Sequence, residues 1–307
     1  MNSSIFVLGA AITDVMGFRV GAPAAGDSVP GSVARAAGGV GRNLAENLTR
    51  LGLPVQLLTA FGDDKNGQDL LRQCQQLNIG VRYSVLAEGY KGALHLAILD
   101  EHKDLFAGVA DLSVMEVISP AYLEQQLEAL QQASALCIET NLPQAAIDWV
   151  VAQEWEVPLY LDPVSVRLST RIARHIGRFH TVKANRSQAE ALSGQRILHP
   201  KDMEAVARQW IDKGVQRVFI TLGNQGAYAA NANHQVHIPA AKVVVADTTG
   251  AGDAFHAGVV WASQRNWSLE DCCRAGLAAS TLAVKSVGAI NTALNQHTLL
   301  EHIRSFC

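Results

Sequence analysis

The chain has 307 residues, 49% of them hydrophobic and only 17% charged, with 25 Lys+Arg against 28 Asp+Glu and a formal net charge of −3. A sequence this apolar is not disordered and is long enough to bury a large core. Its slightly acidic balance excludes a partner held by neutralising a nucleic-acid backbone, but leaves a small anionic ligand open.

No apolar run approaches the roughly 18 residues that span a bilayer. Met1-Asn2-Ser3-Ser4 lacks the basic and then apolar pattern of a signal peptide. Cysteines at 74, 137, 272, 273 and 307 form neither C-x-x-C nor a zinc spacing. A soluble, cytoplasmic protein with reduced thiols is expected, with the vicinal Cys272-Cys273 on a half-buried helix.

In chain order, Ile5–Ala10 reads as a strand, Arg42–Leu51 as a helix with Leu44, Leu48 and Leu51 on one face, Val55–Phe61 as a strand and Asn66–Leu77 as a helix. Ser119-Pro120 opens a helix to about Gln132 by N-cap and first-turn proline. Strand Ala135–Glu139, helix Gln144–Gln153, strand Pro158–Asp162, helix Ser169–Gly177 and strand His180–Lys183 follow. Helices Ser187–Ser193 and Lys201–Lys213, strand Arg217–Leu222, a short strand Val243–Val245, and helices Ala251–Gln264, Leu269–Lys285 and Gln296–Ser305 complete the chain.

Such alternation predicts an α/β fold: a doubly wound, mostly parallel sheet covered by helices on both faces. Two insertions, about 16–35 and 81–110, break the rhythm, with Leu94–Leu99 and Leu105–Val109 patterned as a hairpin. A single domain over 1–307 carrying a small β-sheet lid is the expected organisation.

The most telling stretch is Asp247-Thr248-Thr249-Gly250-Ala251-Gly252-Asp253-Ala254. Small residues at a helix N-terminus leave backbone N–H groups open on the positive end of the dipole, a cradle for phosphate. Asp253 falls in the first turn and would face what the cradle holds, although a lone Asp there also simply complements the dipole. Gly38-Gly39-Val40-Gly41-Arg42-Asn43 lacks the last glycine of G-x-G-x-x-G, since Leu44 stands in its place, so the dinucleotide fingerprint fails. The run still lets backbone and the Asn43 amide approach a polyhydroxylated ligand; a plain loop and surface helix residue is the competing reading.

Further polar residues stand at predicted strand ends, the ligand edge of an open α/β sheet: Asp14, Glu139 with Asn141, Asp162-Pro163, Asn185, and Thr221 with Gly223 and Gly226. Each alone is also turn chemistry. A P-loop, a zinc-protease motif and a serine-hydrolase elbow are all missing from the sequence. His256 reads as a helix-surface residue, and Asp111 as a turn residue, with a substrate contact as the competing reading.

Together these motifs resemble the PfkB (ribokinase-like) family of carbohydrate and nucleoside kinases, over nearly the whole chain. Within it, Gly38–Asn43, Asp162–Ser165 and the Lys183, Asn185-Arg186, Ala189-Glu190, Leu192–Gly194 run are similar to the pseudouridine kinases. The resemblance implies transfer of the ATP γ-phosphoryl to a sugar hydroxyl, the ribose 5′-hydroxyl of pseudouridine in that subfamily. It implies Asp253 as base, Gly250, Ala251 and Gly252 as N–H donors, and Asp14, Gly38, Gly39, Asn43 and Glu139 around the sugar. Lys183, Asn185, Thr221, Gly223 and Gly226 would serve ATP, with Mg²⁺ bridging its phosphates. A monovalent cation such as K⁺ would sit near Asp247, Thr249, Ala283, Gly288 and Thr292.

Two positions depart from the family pattern. Ile12 stands where an Asn commonly contacts the sugar, and Gln188 replaces the Glu of N-x-x-E that reaches Mg²⁺ through water, with Glu190 as a compensating carboxylate. The sequence is compatible with three readings: a pseudouridine kinase, a related kinase for another sugar or nucleoside, and a ligand-sensing pseudokinase. Exposed lid edges would pair subunits into a homodimer.

Overall fold

In the computed structural model, which describes residues 3–21, 26–100 and 105–306, fourteen strands form: β1 (Ile5–Leu8), β2 (Ile12–Arg19), β3 (Gly31–Gly38), β4 (Val55–Leu58), β5 (Ala60–Gly62), β6 (Val85–Ala87), β7 (Leu94–Leu99), β8 (Leu105–Asp111), β9 (Ala135–Glu139), β10 (Leu159–Asp162), β11 (Thr181–Asn185), β12 (Arg217–Thr221), β13 (Ala227–Ala230) and β14 (Gln235–Ile238). Met1, Asn2, Cys307 and the parts of the two insertions at 22–25 and 101–104 lie outside the described residues.

The main sheet has the order β14-β13-β12-β11-β10-β9-β1-β4. Strands β4 to β12 run parallel, and only the β12–β13–β14 edge is antiparallel. Strands such as β1, β9 and β10 are buried along their full length, as parallel strands covered on both faces must be. One apolar layer centres on Phe179, Val206 and Trp210, the other on Phe255, Trp261, Cys272 and Cys273. The two vicinal cysteines are fully buried rather than half-buried, because helix Leu269–Ala283 is sandwiched between the sheet and its helical neighbours.

The chain leaves β1 for β4 on one side and returns to β9 on the other. The crevice at the carboxyl ends of β1 and β9 is therefore the topological switch point, where open α/β sheets take ligands. Beside it stands a second, four-stranded sheet in the order β3-β2-β7-β8.

Several expected boundaries shift. The run Val55–Phe61 breaks at Thr59, and its second half pairs with β6 in a two-stranded sheet of its own. Asp14 follows the first strand but does not stand at its end: it lies inside β2, opposite Ala36 of β3 and His95 of β7. The helix expected over Ser169–Gly177 is a turn at Val166–Ser169 and a 3₁₀ segment at Ala173–Arg178. Val243–Val245 is not a strand: it has no neighbour to pair with, and Val244 is 91% exposed. The β13–β14 hairpin carries little β signal in the sequence, because β13 is mostly alanine and β14 is only four residues long. Among the described residues no helix is long and apolar enough to cross a membrane.

Candidate active site

Helix Ala251–Ser263 begins at Gly250, whose φ of +74° lies in the left-handed region. A Cβ there would also collide with the Ala289 carbonyl, so the start of this helix demands glycine. Helix Val40–Arg50 begins in the same way at Gly39, with φ +91°. The two helices pack together and bring Asn43 and Asp253 into contact: Asn43 Nδ2 donates to Asp253 Oδ2 at 2.9 Å. Both are buried, and Asn43 Oδ1 has no partner. Burial, reinforced by the nearby Asp162 charge, pushes Asp253 up to about 7. A carboxyl so poised titrates in the range useful to a general base.

Behind Asp253 lies a buried ionic group that the sequence did not announce. Lys183 Nζ donates to Asp162 Oδ2 at 2.8 Å, and Nδ1 of the fully buried His256 stands 3.5 Å from the same oxygen. His256 is thus a core residue rather than a surface one, three positions along the helix from Asp253 on the same face. Burial lowers its pKa and keeps it neutral. Burial opposes ionisation of Asp162, but Lys183 and His256 outweigh it and hold the carboxyl far below the usual range. The Lys183 ammonium lies 3.0 Å from where a Cβ on Gly252 would stand, directly under the first helical turn.

A cleft of about 620 Å³ opens beyond this turn. Lys183, Asn185, Thr221 and Gly223 line one side, Thr248, Ala251 and Gly252 close one end, and Val243, Val245 and Leu277 supply an apolar wall. Val243 and Val245 are therefore cleft wall, while Val244 between them faces outward. Gly226 is not on the lining; it accepts from Leu222 N–H at 2.8 Å and shapes the turn that carries Gly223. A concavity of about 490 Å³ at the opposite sheet edge, beside Trp155, Arg178 and His180, holds none of the candidate residues.

On the other side of Asp253, the Asp14 carboxylate packs on Gly38 and meets His95 Nδ1 at 3.2 Å. Burial raises its pKa, with His95 opposing. His95 carries no motif signal in the sequence, because only the β2–β7 register places it there. Glu139 is nearly inaccessible, with its carboxylate turned to the backbone N–H groups of Ala10 and Asn141. Burial pushes it up to about 8 despite those donors. It braces the crevice loop after β1 instead of facing the open site.

Three of the five residues expected around a monovalent cation converge. Asp247 Oδ1 accepts from Thr249 N–H and Oγ1–H at 2.9 and 2.8 Å, and Oδ2 accepts from Gly288 N–H at 2.9 Å. These bonds outweigh burial and lower the Asp247 pKa. The Ala283 carbonyl accepts from Ser286, and that of Thr292 from Arg50. Glu190 does not turn to the cleft, since its Oε1 accepts from Ile197 N–H at 2.7 Å.

The pfkB family carbohydrate kinase model matches residues 2–296. Pseudouridine kinase of Escherichia coli (strain K12) is 32% identical over 256 residues, 83% of this chain and 82% of its own. Among solved structures, a carbohydrate kinase from Agrobacterium tumefaciens superposes with a TM-score of 0.83 at 26% identity, covering 99% of this chain and 97% of its own. Arabidopsis thaliana ribokinase, complexed with ribose and ATP, does so at 0.87 and 19% identity, covering 99% of both chains, a likeness of fold. The chain belongs to the pfkB family and is an ATP-dependent carbohydrate/nucleoside kinase.

Proposed function

We propose that the protein phosphorylates the ribose 5′-hydroxyl of pseudouridine. The observation that carries the reading of the site is Asp253: a buried carboxyl, raised to about 7, bonded to Asn43 and standing at the glycine-started helix beside a nucleotide-sized cleft. Its similarity to a pseudouridine kinase supports the choice of acceptor.

In this reading Asp253 takes the proton of the acceptor hydroxyl while Asn43, with its free Oδ1, orients the sugar. Asp14 and the backbone at Gly38 and Gly39 hold the remaining hydroxyls, with Glu139 bracing the loop beneath them. The γ-phosphoryl sits against Gly250, Ala251 and Gly252, where N–H dipoles and the Lys183 ammonium stabilise spreading negative charge. Phosphoryl transfer asks the protein for alignment and charge stabilisation above all. Asn185, Thr221 and Gly223 serve the rest of ATP, with Gly226 supporting their turn.

The chemistry that Mg²⁺ would supply in this cleft is neutralisation of phosphate charge. Such an ion is held largely by phosphate oxygens and water, which suits a cleft whose Gln188 and Glu190 are both engaged in bonds to the protein. A K⁺ ion would belong beside Asp247, Thr249 and Gly288, with the Ala283 and Thr292 carbonyls near the same loop.

The four-stranded sheet acts as the lid, excluding water from the phosphoryl. Its Asp14–His95 face turns to the sugar, and strand alternation puts Val33, Leu96, Ile98 and Val109 on the other face, all exposed. A second copy of the chain covers that apolar face, making a homodimer. The site of action is the cytoplasm.

A panel of pseudouridine, uridine, ribose and other sugars, ranked by kcat/KM with ATP, with and without K⁺, tests the acceptor. Pseudouridine should lead. Equal or better use of another sugar would pass the assignment to the related kinase favoured by Ile12.

A further inference from the structure

The most strained point near the site is not in it. Val164, a β-branched residue, has φ +58°, a conformation that costs a branched side chain heavily. It is the centre of a three-residue turn closed by Ser165 N–H to the Pro163 carbonyl at 2.6 Å, a rare and strained form when φ is positive. Strain of this kind persists only where surrounding structure over-determines it.

Two bonds do so. Val164 N–H donates to Asp162 Oδ1 at 3.0 Å, and the Val164 carbonyl accepts from Gln188 Nε2 at 2.8 Å. The other end of the Gln188 amide accepts from Asn185 N–H at 2.8 Å. Both ends of one amide are therefore used, one as donor and one as acceptor, and Gln188 is only 4% exposed. A glutamate at this place keeps the acceptor for Asn185 but loses the donor for Val164. It would also leave a carboxylate oxygen against a carbonyl oxygen at a 2.8 Å separation that has no room for water.

From the pinned turn the contacts run on to the cleft. Asp162 meets Val164 N–H with Oδ1 and the Lys183 ammonium with Oδ2, and Lys183 lies under Gly252 on the cleft lining. The departure from N-x-x-E has a local physical use, independent of metal.

We propose that Gln188 is a positioning residue: it pins the left-handed Val164 turn, the turn fixes Asp162, and Asp162 holds the Lys183 ammonium beneath Gly252 where the phosphoryl passes. This rests on the kinase reading above, and Gln188 itself touches neither substrate.

The test compares wild type, Gln188→Glu, Val164→Gly and the double variant, each with saturating ATP and a Mg²⁺ titration. Gln188→Glu should lose about 10-fold in kcat, the scale of one lost buried hydrogen bond, with the acceptor KM and the Mg²⁺ half-saturation unchanged. Glycine adopts positive φ freely, so in the Val164→Gly background the glutamate should cost about 3-fold or less. The nitrogen-labelled ammonium signal of Lys183, slowed in exchange by its bond to Asp162, should be present in wild type and lost in Gln188→Glu.

The proposal is overturned if Gln188→Glu equals or exceeds wild type at lower Mg²⁺, which would make the position a weakened metal contact. It is overturned equally if Val164→Gly brings no recovery, or if the Lys183 signal persists. Should Gln188→Glu fail to fold, the double variant must fold and turn over. Failure of the kinase reading itself looks different, since wild type would then release no acceptor-dependent ADP.

Discussion

Asn43 and Asp253 are 210 positions apart in sequence, yet the amide of one donates to the carboxylate of the other at 2.9 Å. Each sits in the first turn of a helix that starts at a left-handed glycine. That bond joins the early and late motifs into one candidate site, and the strongest predictions concern its acidic member.

Replacing Asp253 by Asn removes the proposed base while keeping shape and a hydrogen-bonding partner for Asn43. Turnover should fall by about 10²–10⁴-fold, the usual worth of a positioned base, or about 3–5 kcal/mol of barrier. Steady-state kinetics with the preferred acceptor measures it, and near wild-type kcat would remove Asp253 from the mechanism.

The raised pKa of Asp253 has two consequences of defined sign. The base must be ionised, so kcat should fall as pH drops below about 7. Stability runs the other way. Between its ordinary value of 3.8 and about 7, the folded state keeps a proton that the unfolded chain has released, so stability declines as pH rises through that window. Asp253→Asn should therefore gain stability over wild type above neutrality and gain least in mild acid. Denaturant midpoints across pH test this; a wild-type advantage at high pH would contradict the buried, raised carboxyl.

Gly250→Ala places a side chain at φ +74° and against the Ala289 carbonyl. The backbone conformation alone costs about 1–2 kcal/mol, and the collision adds to it by shifting the loop that meets Asp247 through Gly288. A lower urea midpoint with reduced activity is expected. Unchanged stability would mean that the helix start relaxes without cost.

A charge on the outer lid face should disturb assembly without touching the site. Leu96→Glu is expected to convert a dimer into a monomer in sedimentation experiments, because a carboxylate cannot be buried unpaired in an apolar contact. Wild type sedimenting as a monomer at micromolar concentration would end the proposal.

The legibility of this chain varied with the range of the forces involved. The late motif was readable because its requirements are local: Gly250 and Gly252 are small for steric reasons at one helix start. Val243 and Val245 carry a strand-like signal for a matching reason, since apolar patterning signals burial or contact but does not name the partner, here a cleft instead of a sheet. Glu139 stands at a strand end as expected, yet its carboxylate turns to the Ala10 and Asn141 N–H groups, a choice set by which loop lies above it.

By itself the sequence determined the alternation of strands and helices, the two glycine-started helices, the inserted strands and the family, because periodicity, backbone sterics and short motifs act over a few residues. Only the tertiary structure decided that His256 is core, that His95 stands on Asp14, and that Gln188 is committed to Val164 and not turned to the cleft. Those relationships join elements distant in the chain. They depend on strand register, burial and the need of every buried polar group for a partner, none of which any local stretch of sequence can express.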